Sequence, residues 1–447
     1  MKSVFSRREF LVTSSAAAVA AGLCAGGWRA PAVAPSLHSP NEELRVACIG
    51  IRGRGRAHID GLAAVPGVRV ACLCDVDENV LAARAVEMES RSAVKPKRFV
   101  DYRRLMEDRQ IDAVTIATPN HTHALLAIAA MEAGKDVYVE KPCSHNLWEG
   151  RQLVRAARQF RRVCLHGTQA RSSPAVREAI RLIHAGLIGE VLMARAICFQ
   201  WRPSHGPVAD EPAPSGVGYD LWLGPAPKRP FSRDRFHCHW RWHWDYGNGD
   251  LGNQGVHEID LARWGLGVGL PTTIHAAGAQ FMFDDGPPTH DALVALFEYP
   301  DEKKMLVFET RPPSASHADS GPGPANAPGV TFYGTEGYVQ VFYFGYRTLL
   351  GPKREPGPHA TGGPDEFERF VRAVRSRGAQ DSGVEAQQGH LSAAVCHLGN
   401  IAYRLGRKVT FDPRSETFPG DPEANALLSR EYRLPHVVLS PLARDAR

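Results

Sequence analysis

Apolar segments typical of buried strands alternate with segments of helical periodicity in the first part of this chain. The strand-like segments are 44–49, 68–74, 113–117, 137–139 and 163–166. Strands separated by helices pair in parallel, because a parallel pair needs a long crossover connection. The functional loops of such a sheet lie at the carboxyl ends of its strands. The alternation therefore predicts a doubly wound α/β domain with a site at one edge of its sheet.

A glycine-rich turn joins the first predicted strand to the first predicted helix. The turn consists of Gly50, Ile51, Arg52, Gly53, Arg54 and Gly55. Glycines in a turn of this kind let the backbone approach a pyrophosphate at the helix N-terminus. Arg52 replaces the second glycine of the usual G-x-G-x-x-G pattern, with Gly53 beside it. We predict that these six residues contact a dinucleotide.

A carboxylate follows the second predicted strand. Asp75 stands 25 residues after Gly50. In this place a carboxylate accepts hydrogen bonds from both ribose hydroxyls and repels a 2′-phosphate, which favours NAD over NADP. A solvated loop aspartate is the alternative, and Arg52 and Arg54 offer positive charge to a phosphate. NAD is therefore the predicted cofactor, and NADP is not excluded.

An aromatic segment in the second half is predicted to form a substrate wall. Residues 236–246 are dense in aromatic, histidine and arginine side chains and follow a Pro/Gly-rich loop over 200–235. Aromatic faces stack on sugar rings, while polar side chains bind hydroxyl groups. The predicted wall residues are Trp240, Trp242, Trp244 and Asp245. A zinc site formed by His237, His239 and His243 is a more specific alternative for this segment. It has no clear fourth ligand, so we predict no metal.

Alternating apolar and polar residues predict a second, mostly antiparallel sheet. The segments are 273–280, 292–299, 304–310, 330–333 and 338–342, and a Pro/Gly/Ser/Ala loop is predicted over 312–328. One face of this sheet would cover the site and the other would pair with a second copy of the chain. We thus expect a homo-oligomer. The predicted divisions are a signal and linker over 1–40, a nucleotide domain over 41–167, an α/β substrate domain over 168–412, and an extended arm over 413–447.

Together these motifs resemble the Gfo/Idh/MocA oxidoreductases, the family of glucose–fructose oxidoreductase and inositol dehydrogenase. The resemblance spans roughly residues 44 to 412. It is carried by the glycine turn, by Thr118-Pro119-Asn120 with His123, by Glu140-Lys141-Pro142, by Gly189-Glu190-Val191, by Gly249-Asp250-Leu251, by the run from Gly255 to Asp260, and by Gly334-Thr335-Glu336-Gly337. The resemblance implies an NAD(P)-binding Rossmann domain, a sugar or polyol substrate, and cofactor contacts from Thr118, Pro119, Asn120, His123, Glu140 and Lys141.

The resemblance also implies the chemistry of the site. Lys141 corresponds to a catalytic lysine, His257 to the general acid/base near the nicotinamide, and Pro142 to a proline after a cis bond. The family commonly has an aspartate four residues before this histidine, where this chain has Asn253. An amide orients an imidazole or binds a hydroxyl but adds no charge to stabilise an imidazolium. Either His257 works with a lower pKa, or Asp250 or Asp260 supplies the charge.

The N-terminus resembles a twin-arginine export signal. Ser6-Arg7-Arg8-Glu9-Phe10-Leu11 precedes a weakly apolar, alanine-rich run through Leu23. Such signals direct folded proteins, commonly with the cofactor already seated, out of the cytoplasm. We therefore expect a periplasmic or other extracytoplasmic enzyme.

Composition excludes several other functions. The net charge of +5 is spread without a basic stripe, which argues against nucleic-acid binding. Beyond the N-terminus the chain has no apolar run of about 18 residues, so no membrane insertion is expected. Nine cysteines without CxxC spacing do not indicate a disulfide scaffold.

The sequence favours NAD-linked hydride transfer to or from a sugar or polyol. Export from the cytoplasm favours a tightly held cofactor that one sugar reduces and another reoxidises, because the periplasm has no free nicotinamide pool. One alternative is a glycosidase-like enzyme that oxidises, eliminates and reduces in turn, although that branch usually lacks the Glu-Lys-Pro triplet found here at 140–142. The other alternative is a non-catalytic sugar-binding scaffold, which Arg52 and Asn253 keep open.

Overall fold

The computed structural model describes residues 43–91, 95–199, 208–282, 288–311, 329–378 and 384–438. The predicted export signal, the predicted loop over 312–328 and the first part of the loop over 200–235 lie outside the described residues. Within these residues, no helix is both long and apolar enough to cross a membrane.

The first sheet is parallel and has six strands in the order β3-β2-β1-β4-β5-β6. Its strands are β1 (Leu44–Ile49), β2 (Val68–Cys74), β3 (Lys97–Phe99), β4 (Ala113–Ile116), β5 (Asp136–Val139) and β6 (Cys164–His166). The helices of this half are α1 (Arg54–Ala63), α2 (Glu78–Arg91), α3 (Tyr102–Met106), α4 (Asn120–Glu132) and α5 (Leu147–Gln159). Separate apolar clusters pack on the two faces of the sheet. The predicted doubly wound parallel sheet is confirmed, with β3 as a strand that the sequence pattern did not reveal.

The second sheet has nine strands in the order β14-β13-β12-β11-β7-β10-β9-β8-β15. The strands are β7 (Val191–Phe199), β8 (Thr273–Ala279), β9 (Ala292–Tyr299), β10 (Lys304–Arg311), β11 (Gly329–Gly334), β12 (Gly337–Phe342), β13 (Gly345–Leu350), β14 (Glu355–Thr361) and β15 (Val409–Thr410). All neighbours pair antiparallel except β7 and β10, which pair in parallel. The predicted mostly antiparallel sheet is therefore confirmed.

Seven α-helices follow β6 in the described residues, and several of them pack on the second sheet. They are α6 (Pro174–His184), α7 (Tyr219–Leu223), α8 (Gly249–Asn253), α9 (Gly255–Leu266), α10 (Glu366–Ser376), α11 (Ala386–Leu405) and α12 (Pro422–Ala426). Helix α9 packs on β7, and α11 packs on both β8 of the second sheet and α5 of the first half. The long helix α11 thus links the two halves of the molecule.

The C-terminal segment, for which we predicted an extended arm, lies against the same chain through residue 438. The Trp148 amide donates to the carbonyl of Leu428 at 3.0 Å. The guanidinium of Arg430 donates to the buried carboxylate of Glu149 at 2.8 Å. Val438 is 2% exposed and belongs to an apolar cluster of the first half. This segment therefore stabilises the nucleotide-binding half of the molecule.

Candidate active site

A cleft of about 560 Å³ lies at the carboxyl ends of β1, β2, β4 and β5. Its other walls come from residues 221–241, from 253–257 at the junction of α8 and α9, and from the turn between β12 and β13. The structure brings most of the predicted site residues to this cleft. They are Gly50, Arg52, Gly53, Arg54, Asp75, Thr118, Pro119, Asn120, His123, Glu140, Lys141, Trp240, Asn253 and His257.

The glycine turn leaves no room for side chains at two positions. Gly50 has φ of +76°, and a Cβ there would lie 2.8 Å from the amide nitrogen of Thr118. A Cβ on Gly55 would lie 1.8 Å from the carbonyl oxygen of Gly50. Gly53 is the N-cap residue of α1, and a Cβ at this position would meet no atom within 4 Å. A backbone cradle at a helix N-terminus fits the pyrophosphate of a dinucleotide.

Asp75 lies at the end of β2, beside the turn, and fits the ribose of the same dinucleotide. Its Oδ2 accepts from the Ile51 amide at 2.9 Å, and its Oδ1 accepts from the Asp77 amide at 3.1 Å. Burial raises the pKa of Asp75, and the two amides partly oppose that rise. Each carboxylate oxygen keeps a further lone pair for a hydroxyl donor. Ile51 itself is buried and reaches the site through its backbone alone.

Three side chains surround the buried carboxylate of Glu140. The Arg54 Nε donates to Oε1 at 2.7 Å, the His58 Nε2 lies 3.1 Å from it, and Gln169 donates to it at 3.1 Å. Burial alone would raise the pKa of Glu140, but the His58 hydrogen bond and the Arg54 charge hold it well below its usual range. Arg54 also donates to Glu366 at 3.1 Å. The guanidinium that we predicted for a phosphate is thus bound by two carboxylates of the chain.

Lys141 projects into the cleft beside this carboxylate. The Lys141–Pro142 peptide bond is cis, as the resemblance implied. The lysine Nζ donates to the backbone carbonyl of Asn253 at 2.7 Å. Burial lowers the pKa of Lys141 to about 8, with Glu140 opposing and Arg241 adding to the shift. The side chain therefore changes protonation near neutral pH, which suits proton chemistry.

His257 lies at the same end of the cleft, in the first turn of α9. It is 4% exposed, and its Nδ1 has no hydrogen-bond partner among the described residues. Burial and then the charge of Lys141 lower the pKa of His257 to about 3. Asp260 binds Arg171 and Ser392, both at 2.6 Å, and Asp250 accepts from Trp242 at 3.3 Å. Both carboxylates thus have partners of their own. The structure therefore favours a His257 that works with a lowered pKa over one whose charge is supported by Asp250 or Asp260.

His123 and Asn120 support the site from α4. His123 Nδ1 lies 2.6 Å from the Pro142 carbonyl and its Nε2 lies 2.7 Å from the Thr118 carbonyl. The histidine thus connects the two loops that follow β4 and β5. Asn120 donates to the side chain of Asn248 at 2.9 Å, which ties the first half to the segment before α8.

The structure brings only one residue of the predicted aromatic wall to the cleft. Trp240 lines the cleft, whereas Trp242, Trp244 and Asp245 do not. Trp242 is buried against Asp250, Trp244 lies near Tyr403 and Arg404, and Asp245 accepts from Arg229. Residues 239–242 form a short 3₁₀ helix, whose three residues per turn direct neighbouring side chains to different sides.

Two of the three histidines of the alternative zinc site lie beside different carboxylates. His237 Nε2 lies 3.4 Å from Asp77, and His243 Nε2 lies 3.0 Å from Asp234. In the part of the chain that the structure describes, no group of three or more His, Cys, Asp or Glu side chains could hold a metal ion.

Sequence reasoning missed several side chains of the cleft. The Tyr343 ring lies 5.5 Å from the His257 ring between centroids. Gln254 lines the cleft and donates to Glu258 at 3.0 Å, and burial raises the pKa of Glu258 to about 8. Gln254 and Glu258 flank His257 in sequence and could have been found from its motif. Tyr343 comes from a turn of the second sheet, and no local signal marks it.

The first half has a parallel sheet with a glycine turn at a helix N-terminus, and Lys141 and His257 lie in the same cleft. These features define an oxidoreductase with an NAD-binding Rossmann fold. Residues 44–168 match the model for the NAD-binding Rossmann fold of the Gfo/Idh/MocA oxidoreductases. Residues 173–281 and 355–438 match the C-terminal alpha/beta domain of that family, and 228–340 match a further C-terminal model. The chain belongs to the Gfo/Idh/MocA oxidoreductase family.

Individual relatives agree with this assignment. A glycosyl hydrolase family 109 protein of Saccharopolyspora erythraea is 31% identical over 203 residues, which are 42% of this chain and 44% of the relative. The chain thus matches less than half the length of this curated relative. Levoglucosan dehydrogenase, solved with NADH and levoglucosan, aligns with TM-score 0.62 and 21% identity over 83% of this chain and 99% of its own. Aldose-aldose oxidoreductase from Caulobacter crescentus aligns with TM-score 0.60 and 19% identity over 83% and 100%. At these identities, the two comparisons show that this chain shares the fold of both solved structures.

Proposed function

We propose that this protein is an NAD-linked oxidoreductase that transfers hydride between the cofactor and a hydroxyl or ketone of a sugar or polyol. The observation that carries the proposal is the position of Lys141 and His257 in the same cleft as the glycine turn and Asp75. A nicotinamide dinucleotide in this cleft supplies the hydride acceptor or donor. Asp75 favours NAD, because a 2′-phosphate would meet its carboxylate.

The chain's own groups handle the proton. The neutral imidazole of His257 accepts the hydroxyl proton of the substrate, since its pKa of about 3 keeps it unprotonated near neutral pH. The Lys141 ammonium donates a hydrogen bond to the same oxygen and stabilises the negative charge that develops on it. The carbonyl of Asn253 orients the ammonium.

The test is hydride transfer by purified protein and its Lys141→Ala and His257→Ala variants. Each variant is expected to keep its affinity for NAD and lose turnover by about a hundredfold or more. Tightly held cofactor would be detected by denaturing the protein and measuring released nicotinamide. Reduction by one sugar followed by reoxidation by a second would then show the reaction. Full activity of both variants would contradict the proposal.

The glycosidase-like alternative is favoured by one observation, the identity to a glycosyl hydrolase family 109 protein. Lys141 argues against it, because the hydrolase branch of the family usually lacks the Glu-Lys-Pro triplet. Incubation with p-nitrophenyl glycosides distinguishes the two reactions. Release of p-nitrophenol that depends on bound NAD would support glycoside cleavage instead of net hydride transfer.

We also propose export by the twin-arginine route, which rests on Arg7 and Arg8 within the N-terminal motif. An exported enzyme would need a cofactor that is not exchanged, because the periplasm has no free nicotinamide pool. Changing both arginines to lysine is expected to leave the precursor in the cytoplasm in a fractionation experiment. Normal export of that variant would contradict the assignment.

A homo-oligomer through the outer face of the second sheet is a further part of this proposal. Leu192 of β7 and Val294 of β9 are 46% and 47% exposed on two central strands of that sheet. Sedimentation of the wild type and a Val294→Glu variant tests it, since a carboxylate on the shared face would favour the monomer.

A further inference from the structure

One cation at the reactive end of the cleft has no counter-ion among the described residues. Arg241 lines the cleft and is half-buried. Its guanidinium lies 4.7 Å above the centre of the Trp240 ring, and one of its N–H groups donates to the Cys238 carbonyl at 2.5 Å. No carboxylate in the described part of the chain forms an ion pair with it. A guanidinium has five N–H donors, and the bond to the Cys238 carbonyl is the one that its side chain makes to another described residue.

Two other cations of this region are already engaged. Arg54 binds Glu140 and Glu366, and Lys141 donates to the carbonyl of Asn253. Arg241 lies close enough to Lys141 that its charge lowers the pKa of the lysine. Among the described residues, the reactive end of the cleft therefore carries a positive charge without a paired carboxylate, and the Trp240 ring packs against it.

We propose that Arg241 binds a carboxylate of the substrate, so that the substrate is an acidic sugar of the uronate type. The inference rests on the proposed function and narrows its substrate class. Arginine is suited to this role because its planar fork matches a carboxylate with two parallel hydrogen bonds. The ring of the sugar would then place a hydroxyl beside Lys141 and His257.

Two other anions are less well matched to this position. A phosphate ester carries nearly two negative charges, whereas Arg241 is a single cation and Arg54 is neutralised by its own partners. Arg52 also lines the cleft, but it belongs to the glycine turn, where the cofactor is expected. The pyrophosphate of the cofactor belongs at the glycine turn, where the backbone of Gly53 faces open space. Binding of either anion by Arg241 is an outcome that the experiment can detect.

The experiment compares D-glucuronate and D-galacturonate with D-glucose, D-galactose and glucose 6-phosphate. Wild-type protein is expected to oxidise at least one uronate with kcat/KM about tenfold or more above its neutral counterpart. Arg241→Gln is expected to lower kcat/KM for that uronate by about 10- to 100-fold, mainly through KM. The comparison is made at about pH 7, below the pKa of Lys141, because loss of the Arg241 charge also raises that pKa. Under this condition the loss on the neutral sugar should be much smaller, and the Kd of NAD should not change. Arg241→Lys keeps the charge without the fork and should fall between the two.

Arg404→Gln is the matched control. Arg404 lies 5.4 Å above the Trp244 ring in a similar cation–π contact but does not line the cleft. Equal loss on uronates and neutral sugars in Arg241→Gln, weaker NAD binding, or a wild-type preference for neutral sugar or for glucose 6-phosphate would overturn the inference. If no sugar is oxidised, the proposed function fails, and calorimetric titration of the holoprotein with both uronates still decides whether Arg241 binds a carboxylate.

Discussion

At the scale of single residues, the ionisation of Lys141 predicts how activity depends on pH. With a pKa of about 8, this lysine loses its proton within the range of ordinary assays. Only the ammonium form carries positive charge to the reacting oxygen, so kcat/KM for oxidation should fall about tenfold per pH unit above this pKa. Measurement of kcat/KM from about pH 6 to 10 tests for this alkaline limb of the pH profile.

Lys141→Arg provides the control, since a guanidinium stays charged over this range. Its activity is expected to be lower at neutral pH but free of the alkaline limb. A limb that persists in this variant would assign the titration to Glu258, whose pKa burial also raises to about 8.

Asn253 gives a second prediction at this scale. A carboxylate at this position would stabilise the His257 imidazolium and raise its pKa from about 3. Because oxidation needs neutral imidazole, Asn253→Asp should move the acidic limb of the pH profile to higher pH. Asn253→Ser, which adds no charge, is the control. An acidic limb that stays in place in Asn253→Asp would show that His257 is not the base.

At the scale of secondary structure elements, the turn between β1 and α1 depends on Gly50. Alanine there adopts φ of +76° and also meets the Thr118 backbone at 2.8 Å. Gly406, after α11, has φ of +63° with open space where a Cβ would stand. Gly406→Ala therefore incurs only the left-handed backbone, which costs about 1–2 kcal/mol.

Gly50→Ala is expected to lower the thermal unfolding midpoint further than Gly406→Ala and to weaken NAD binding. The added loss comes from movement of the loop after β4, which the cofactor site shares. Equal midpoints for the two variants, with unchanged NAD affinity, would contradict this account of the turn.

At the scale of the whole molecule, the C-terminal segment holds a cover over the cleft. The cover segment, residues 217–241, contributes Trp222 and Phe236 to the cleft wall. Arg433 donates to the Asp220 carboxylate and carbonyl, each at 2.7 Å, and to the Gly224 carbonyl at 3.0 Å. Three hydrogen bonds from one arginine fix the cover segment to the C-terminal segment.

Arg433→Ala is therefore expected to release bound NAD about tenfold faster in gel filtration or dialysis. Arg407→Ala is the control, because Arg407 also makes several ion pairs, with Asp421 and Glu423, but does not line the cleft. Equal retention of NAD by both variants would show that this contact does not govern release.

The sequence alone was sufficient for the parts of the protein that depend on local pattern. Apolar runs separated by helical segments predicted the parallel sheet, because neighbouring residues decide whether a segment is strand or helix. Residues at the ends of parallel strands meet at one edge of the sheet, so the order of strands and loops along the chain was enough to place the glycine turn, Asp75, Asn120 and Lys141 in one cleft.

Only the tertiary structure decided what surrounds each of these groups. Glu140 and Glu366 bind the Arg54 guanidinium, Tyr343 comes from a distant turn to face His257, and burial lowers the pKa of His257 to about 3. The aromatic segment sends one tryptophan into the cleft and two elsewhere, and the C-terminal segment packs on the first half. These features depend on contacts between residues far apart in the chain and on exclusion of water, which a local sequence pattern does not encode.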